Sequence, residues 1–458
     1  MPRLDSKFMV IALSVLILLY FIVLPLAVLI IDSVVVDGHL DVSSYLTVYG
    51  QAVNMRALTN TAKISILVMI LSVLITFPLA WLIGRTDLPG RKKFRTILVA
   101  SYMIPPYVGA IAWTQLLNPD VGYLNALLKT IFSLSKAPFN IYTEGGLIWV
   151  LTLFYSPFAF ITISRAMEKM DPTLEEASRV SGASPLRVLW DVTLPLMAPS
   201  ILAGGLLVFI GAGSAFGIPA IVGMPGNIEV LTTRIVSFVY MGNDSGIRNA
   251  TTLAVSLMIL ANGLLFFMTW FMGRKDYTTI GKSTRPALVE LGKWKGLATF
   301  LVAVYAFIAV ILPLGSIVIT SFMVSMSKGL SLDNFGFDAW IPVLENSQYL
   351  DCIWRSLGYA FIAATIGTIL SLFVAYLSVK THVKGRSLPD LLVMVGGSTP
   401  SVVIALALII TFSGNYGLNL YSTMWILIVS YLVKYMTMSV RTIAASLSQV
   451  SSSLEEAG

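Results

Sequence analysis

Residues 171–195, DPTLEEASRVSGASPLRVLWDVTLP, form a long polar interval in an otherwise apolar chain and indicate how the chain folds. Asp171 before Pro172 predicts a helix start, because the carboxylate accepts free N–H groups and proline lacks the N–H that would be unpaired there. Glu175 and Glu176 follow in the first turns, where the helix dipole favours carboxylates. We therefore predict a short helix that begins at Pro172.

The second half of this segment repeats the pattern. Gly182 is typical of a helix end, and Ser184-Pro185 is another cap followed by proline. We predict a second short helix after this glycine corner, with Pro195 as its limit.

The same segment contains a spaced motif. Its members are Glu176, Ala177, Ser178, Gly182, Val192, Leu194 and Pro195. The spacing resembles the EAA loop of bacterial ABC importer permeases, with the serine and the valine as conservative departures. The resemblance implies a cytoplasmic coupling helix, including Glu175, that docks on a separate ATP-hydrolysing subunit. The alternative interpretation is an ordinary amphipathic loop helix.

The composition indicates a membrane protein. Hydrophobic residues make up 57% of the chain and charged residues 12%, whereas soluble domains carry about 25% charged residues. Apolar runs of about 20 residues recur and predict transmembrane helices. The net charge of +7 lies mostly in alternate loops, which is a topology signal, so we expect a lipid bilayer and no nucleic acid as partner.

About ten spans are predicted. Their approximate bounds are 8–31, 64–83, 97–117, 146–164, 198–217, 250–272, 297–320, 356–379, 389–412 and 422–440. Pro105-Pro106 predicts a kink or break in the third span. Because Lys and Arg concentrate in the N-terminal tail and alternate loops, we expect the N terminus and the 171–195 segment in the cytoplasm. The fold class is therefore an all-α polytopic membrane protein, and the resemblance to ABC importer permeases implies their type I importer fold and a location in the bacterial cytoplasmic (inner) membrane.

The chain also repeats itself. At an offset of 295 residues, Thr61 falls on Ser356, Ala80 on Ala375, Gly90 on Gly385 and Pro105 on Pro400, and nearer the C terminus the offset becomes 280. The repeat contains six spans, an even number, which predicts a parallel tandem repeat with both copies in the same orientation.

This repeat predicts the domain organisation. We expect a first permease domain at 1–280, a basic cytoplasmic linker at 281–296 and a second permease domain at 297–458. The second domain ends inside its own copy of the coupling motif, at Glu455, Glu456, Ala457 and Gly458. We therefore expect the second domain to be incomplete, with four spans, and the working protein to continue further.

The sequence carries no catalytic or metal-binding pattern. The single cysteine, Cys352, excludes an intramolecular disulfide, and His39 and His382 are too few for a histidine-rich metal site. The triplet 281–283, GKS, resembles the end of a phosphate-binding loop, but Asp276 stands where that loop needs glycine. We predict no enzymatic activity, no metal site and no bound cofactor, with ATP and Mg²⁺ on the partner ATPase.

Polar residues within or near the spans are candidates for the substrate path. They are Ser214, Thr251, Thr252, Ser256, Asn262 and Lys434. Polar side chains also hold helices together. For Lys434, a substrate or ion contact and a lysine that faces a cavity or snorkels both remain open. Residues 218–249 are expected to form a gate-lining, partly re-entrant segment or a turn before an interfacial helix.

Two permease halves with FGIPAIVG at 216–223 and VLTTRIVSFVY at 230–240 are similar to the ferric-iron permease family. The resemblance implies alternating access, an ABC ATPase dimer, a periplasmic or lipid-anchored binding protein, and ferric iron as substrate. Thiamine, aminoethylphosphonate or polyamine are alternative substrates. Two other classes remain: an ion-coupled secondary transporter, which predicts carboxylates within spans, and a membrane anchor for other proteins.

Overall fold

The computed structural model describes residues 6–36, 38–272, 288–381, 383–414 and 416–449. In chain order, the α-helices are α1 Ser6–Leu18, α2 Leu24–Val34, α3 Ser43–Gly50, α4 Ala52–Arg85, α5 Arg91–Ala100, α6 Pro106–Leu117, α7 Tyr123–Phe132, α8 Glu144–Lys169, α9 Pro172–Val180, α10 Pro185–Val188, α11 Leu194–Gly213, α12 Leu231–Val239, α13 Asp244–Met272, α14 Lys295–Ala306, α15 Leu312–Ser321, α16 Trp340–Glu345, α17 Ser347–Lys380, α18 Leu388–Ser398, α19 Ser401–Thr411 and α20 Met424–Leu447. Two short strands, β1 Val35–Val36 and β2 His39–Leu40, form an antiparallel ribbon.

The number of spans agrees with the sequence prediction. Within the described residues, eight helical stretches are long and apolar enough to cross a membrane, and two bent helix pairs raise the number to as many as ten. The first pair, Arg91–Met103 with Pro106–Leu117, bends by 102°, and the second, Leu388–Ser398 with Ser401–Thr411, bends by 108°. The predicted break at Pro105-Pro106 is therefore confirmed.

The second span is much longer than predicted. Helix α4 begins at Ala52, whereas the predicted span begins at residue 64. Its polar first turns are satisfied by other parts of the protein: the side-chain amide of Asn60 donates to the Glu229 carbonyl at 3.0 Å, and Lys63 pairs with Glu144 at 2.7 Å. Tertiary partners thus extend the helix beyond its hydrophobic run.

Three wide helical turns precede Leu-Pro pairs. These π-turns are Leu19–Val23 before Leu24-Pro25, Leu189–Thr193 before Leu194-Pro195, and Phe307–Ile311 before Leu312-Pro313. Proline donates no backbone hydrogen bond and its ring clashes with the carbonyl four residues earlier, so a widened turn lets the helix continue. The expectation that Pro195 ends a short helix is consequently wrong, because the chain runs helically from Leu189 to Gly213.

The described residues pack in two compact units. One contains residues of 1–54, 234–262 and 343–458, and the other residues of 55–233 and 263–342. In the first unit, α2 packs on α19 and α17 packs on α20. In the second, α8 packs on α11, and α15 packs on α6. These two units do not coincide with the two domains predicted on either side of residues 281–296. The predicted domain division therefore stays a prediction based on the repeat.

Element bounds recur at the predicted offsets. Ala52–Arg85 and Ser347–Lys380 are both 34 residues long, and each starts 295 residues from the other. Glu144 and Met424 begin helices 280 residues apart, each after a threonine whose side chain caps the helix. These correspondences support the tandem repeat.

Candidate functional site at the 171–195 segment

The first short helix of the segment starts as predicted. Helix α9 follows Asp171, whose Oδ1 accepts hydrogen bonds from the backbone N–H of Thr173 at 2.9 Å and from its hydroxyl at 2.8 Å. These two bonds, the backbone bond first, hold the pKa of the Asp171 carboxyl below its usual range. The N-cap predicted from the sequence is therefore confirmed.

The glycine corner is also confirmed. Gly182 has φ of +85°, and its N–H donates to the Arg179 carbonyl at 2.9 Å. The N–H of Ala183 donates to the Ser178 carbonyl at 3.1 Å, which completes a Schellman motif. A Cβ at position 182 would meet no atom within 4 Å, so glycine is favoured here by the left-handed backbone and not by lack of space.

A buried ion pair lies behind α9. Arg85 at the end of α4 is 1% exposed and Glu175 in α9 is 5% exposed. A guanidinium nitrogen, Nη2, of Arg85 donates to Oε2 of Glu175, and the Thr193 hydroxyl donates to Oε1 at 2.7 Å. The pair therefore connects the end of a long span, the short helix and the start of the next span.

Further contacts fix the arginine. Its Nη1 lies 3.4 Å from the carbonyl of Met170, and its own carbonyl accepts the N–H of Val289 at 2.8 Å. Beside the ion pair is a groove of about 420 Å³, whose apolar walls include Phe77, Trp81 and Val188. Low-polarity surroundings strengthen the attraction between the two charges but also make the loss of either charge costly.

The structure separates the two glutamates that the sequence treats alike. Glu175 points into the protein, whereas Glu176 and Ala177 are exposed and Ser178 is half-buried. Val180, at the end of the same helix, is 90% exposed. Sequence reasoning placed Glu175 on the docking surface and did not single out Arg85. The outward surface of α9 includes Glu176, Ala177 and the neighbouring apolar Val180, together with Leu174 and Arg179.

The remaining motif residues fall in two places. Leu194 and Pro195 belong to the first turn of α11, where Leu194 is half-buried and Pro195 exposed. The second-copy candidates Glu455, Glu456, Ala457 and Gly458 lie outside the described residues.

The candidate path residues on α13 bond to their own helix. Thr251 donates to the Ile247 carbonyl at 2.8 Å, Thr252 to Arg248 at 3.0 Å and Ser256 to Thr252 at 2.9 Å. Asn262 donates to the Met258 carbonyl at 3.1 Å. Each of the four side chains thus donates to the carbonyl four residues earlier in the same helix. Ser214 caps the end of α11, and its buried hydroxyl has no hydrogen-bond partner within the described residues.

Lys434 has a defined structural partner. Its Nζ donates to the Thr399 carbonyl at 3.2 Å, and Thr399 follows α18 at the 108° bend. Carbonyls at a helix C terminus have no partner within the helix, and a cation is favoured there. Lys434 therefore caps the first half of a broken span.

The 218–249 segment begins irregularly, as expected. A π-turn at Pro219–Gly223 precedes α12, which contains Arg234, and Tyr240 after it is exposed. The N–H of Leu231 donates to the Thr61 hydroxyl at 2.8 Å. In the part of the chain that is described, no group of three or more His, Cys, Asp and Glu side chains is placed to hold a metal ion.

The fold is that of a polytopic helical membrane protein, with the short helix α9 between two spans. Residues 76–275 match the family described as "Binding-protein-dependent transport system inner membrane component". This stretch therefore resembles a permease domain of that family, and the chain resembles a multi-pass transmembrane permease of the ABC importer class. Such a permease is a transport subunit and not itself an enzyme.

The similarity to curated relatives extends along the chain. The chain is 27% identical to "Putative ferric transport system permease protein FbpB 1" of Haemophilus influenzae, over 99% of this chain and 71% of that protein. It is also 27% identical to "Ferric transport system permease protein FbpB" of Actinobacillus pleuropneumoniae, over 99% of this chain and 65% of that protein. Among solved structures, a bacterial ABC transporter for alginate import matches 57% of this chain and 92% of its own, with 19% identity and a TM-score of 0.49.

Proposed function

We propose that this chain is the permease subunit through which an ABC importer moves its solute, and that α9 couples it to a separate ATPase dimer. A periplasmic or lipid-anchored binding protein delivers the solute, and the N terminus and the 171–195 segment face the cytoplasm. The matched family and the relatives' names support this assignment at the level of the permease class.

The observation that supports the coupling role is that α9 has one exposed surface and one buried, bonded side chain. Glu176 and Ala177 are free to contact a partner, while Glu175 on the same helix is bound to Arg85 and Thr193. A push on the exposed surface is transmitted through a buried ion pair to the ends of α4 and α11. A loop helix held only by exposed contacts would absorb that push by local movement.

The proposed solute is ferric iron. The two curated relatives that cover 99% of the chain are both named as ferric transport permeases. Aminoethylphosphonate is a second candidate, because a relative with 23% identity over half of this chain is named as a permease for it. Thiamine and polyamines remain alternatives from the sequence resemblance alone.

The test is ATP-dependent uptake of ferric iron into proteoliposomes that contain this permease in its full-length form, its ATPase and its binding protein. Glu176→Arg reverses a charge on the exposed surface of α9. Glu290→Arg is the matched control, because Glu290 is an exposed carboxylate outside the segment. We expect Glu176→Arg to reduce uptake and ATPase binding and Glu290→Arg to leave both near the parent level.

Three outcomes distinguish the alternatives. Iron uptake that persists without the ATPase contradicts the ABC assignment and favours an ion-coupled transporter. Solute-stimulated ATP hydrolysis without iron uptake keeps the permease and removes iron as its substrate. Partner binding without any transport favours the membrane-anchor alternative.

A further inference from the structure

A basic pocket lies where two membrane-spanning helices end. Its volume is about 370 Å³, and it is lined by Ile83, Leu288, Arg91, Lys92, Arg95 and Glu168. Three cations and one carboxylate thus meet on an apolar floor. This pocket is separate from the groove beside Glu175, and the proposed transport function does not use it.

The carboxylate in the pocket is already occupied. Arg95 pairs with Glu168, and Nη2 of Arg95 also lies 3.1 Å from the Ser164 hydroxyl. Arg91 and Lys92 form no ion pair with any carboxylate of the described residues. The pocket therefore keeps a net charge of about two positive units, with the third cation held in place by its partner.

The position of the pocket selects its ligand. The span that contributes Ile83 ends at Arg85, and the span that contributes Glu168 ends at Lys169. The pocket consequently opens at the level where hydrocarbon gives way to headgroups. Basic pockets between transmembrane helices at this depth bind anionic lipid headgroups. Loop cations can be explained by their effect on membrane orientation alone. That effect does not require three cations to line the same cavity beside apolar residues.

We propose that this pocket binds the phosphodiester headgroup of an anionic phospholipid. Arg91 and Lys92 contact the phosphate oxygens, and the Arg95–Glu168 pair forms a fixed side of the pocket. Ile83 and Leu288 lie beside the start of the acyl chains. A lipid fits better than free phosphate because four of these six residues, Ile83, Leu288, Arg95 and Glu168, are apolar or already paired with one another.

The experiment uses the full chain in a neutral detergent, with native mass spectrometry to count retained lipids. The probes are phosphatidylglycerol, phosphatidylcholine and inorganic phosphate. The test variant is Arg91→Gln with Lys92→Gln. The control variant is Lys93→Gln with Arg165→Gln, which removes the same charge from exposed positions that do not line the pocket.

We expect phosphatidylglycerol to be retained in preference to phosphatidylcholine. Its affinity should fall by about fivefold for each pocket cation removed, and the control variant should retain the parent affinity. Equal losses in both variants would show diffuse attraction to a basic surface and overturn the proposal. Competition by inorganic phosphate at the concentration of the lipid would show a free-anion site and overturn it as well, and the absence of any retained lipid would do the same.

Discussion

Arg85 and Glu175 form an ion pair whose side chains are only 2% and 7% exposed, although 90 residues of chain separate them. Burial of two charges is expensive, and the cost is recovered only when each charge keeps its partner and further hydrogen bonds. Thr193 supplies such a bond at 2.7 Å. Three helical elements thus depend on one another at the base of the proposed docking helix.

Removing only the arginine should be strongly destabilising. Arg85→Met leaves Glu175 as a buried, unpaired carboxylate, and such a change typically costs about 3–5 kcal/mol. Thermal unfolding in detergent measures the effect. Arg85→Met combined with Glu175→Met should recover most of the loss, because an apolar pair of similar volume needs no partner. A double variant that is no more stable than Arg85→Met would contradict the ion-pair role.

The loss of stability on substitution of Gly182 should depend on the backbone preference of the new residue and not on its size. Gly182→Val forces a β-branched residue into a left-handed conformation and should cost about 1–2 kcal/mol. Gly182→Asn should cost less, because asparagine tolerates φ above zero and the site has open space. Equilibrium unfolding of the two variants checks the order. Equal losses would point to packing at the corner instead of its φ of +85°.

The N terminus of α9 should fray in acid. The pKa of Asp171 is lowered by its bonds from Thr173, so its capping contribution is complete above the unfolded value of about 3.9. The contribution is lost as the pH falls through the lower, folded value. Hydrogen exchange at Thr173, corrected for intrinsic rates, should therefore rise in this range. Asp171→Asn keeps an acceptor without a titrating group, and a pH response of the same size in that variant would refute the mechanism.

Lys434→Met should separate the two interpretations of this lysine. If Lys434 only caps the bend, the variant leaves the Thr399 carbonyl without its 3.2 Å partner and costs about 1–3 kcal/mol, with uptake per folded protein unchanged. Unfolding and uptake are measured on the same preparation. Normal stability with abolished uptake would instead assign the lysine to the substrate path.

Local sequence signals predicted the features that depend on near neighbours. The cap at Asp171, the corner at Gly182 and the break at Pro105-Pro106 each follow from the covalent chemistry of one or two residues. The prediction of about ten spans follows from the length of the apolar runs, because a helix needs about 20 apolar residues to cross the bilayer. The number of spans and the local shape of the start of the 171–195 segment are therefore predictable from sequence.

Helix ends away from such signals were less predictable. Pro195 has the sequence mark of a helix end, yet the π-turn at Leu189–Thr193 lets the helix pass through it. Helix α4 begins at Ala52, in a polar stretch, because distant groups bind its polar side chains. The Asn60 side chain, for example, donates to the carbonyl of Glu229. A short stretch of sequence does not show whether the surrounding structure can accommodate a π-turn. It also does not show which distant group will bind a polar side chain.

Hydrophobic run length and capping chemistry act locally, so the amino-acid sequence is enough to predict a polytopic helical membrane protein, and the spacing of its 176–195 motif resembles an EAA loop. The burial of Glu175, the exposure of Glu176 and the pairing of Arg85 with Glu175 depend instead on tertiary packing. Two adjacent glutamates have the same intrinsic chemistry. Which one is buried depends on a guanidinium and a hydroxyl that folding brings from distant parts of the chain.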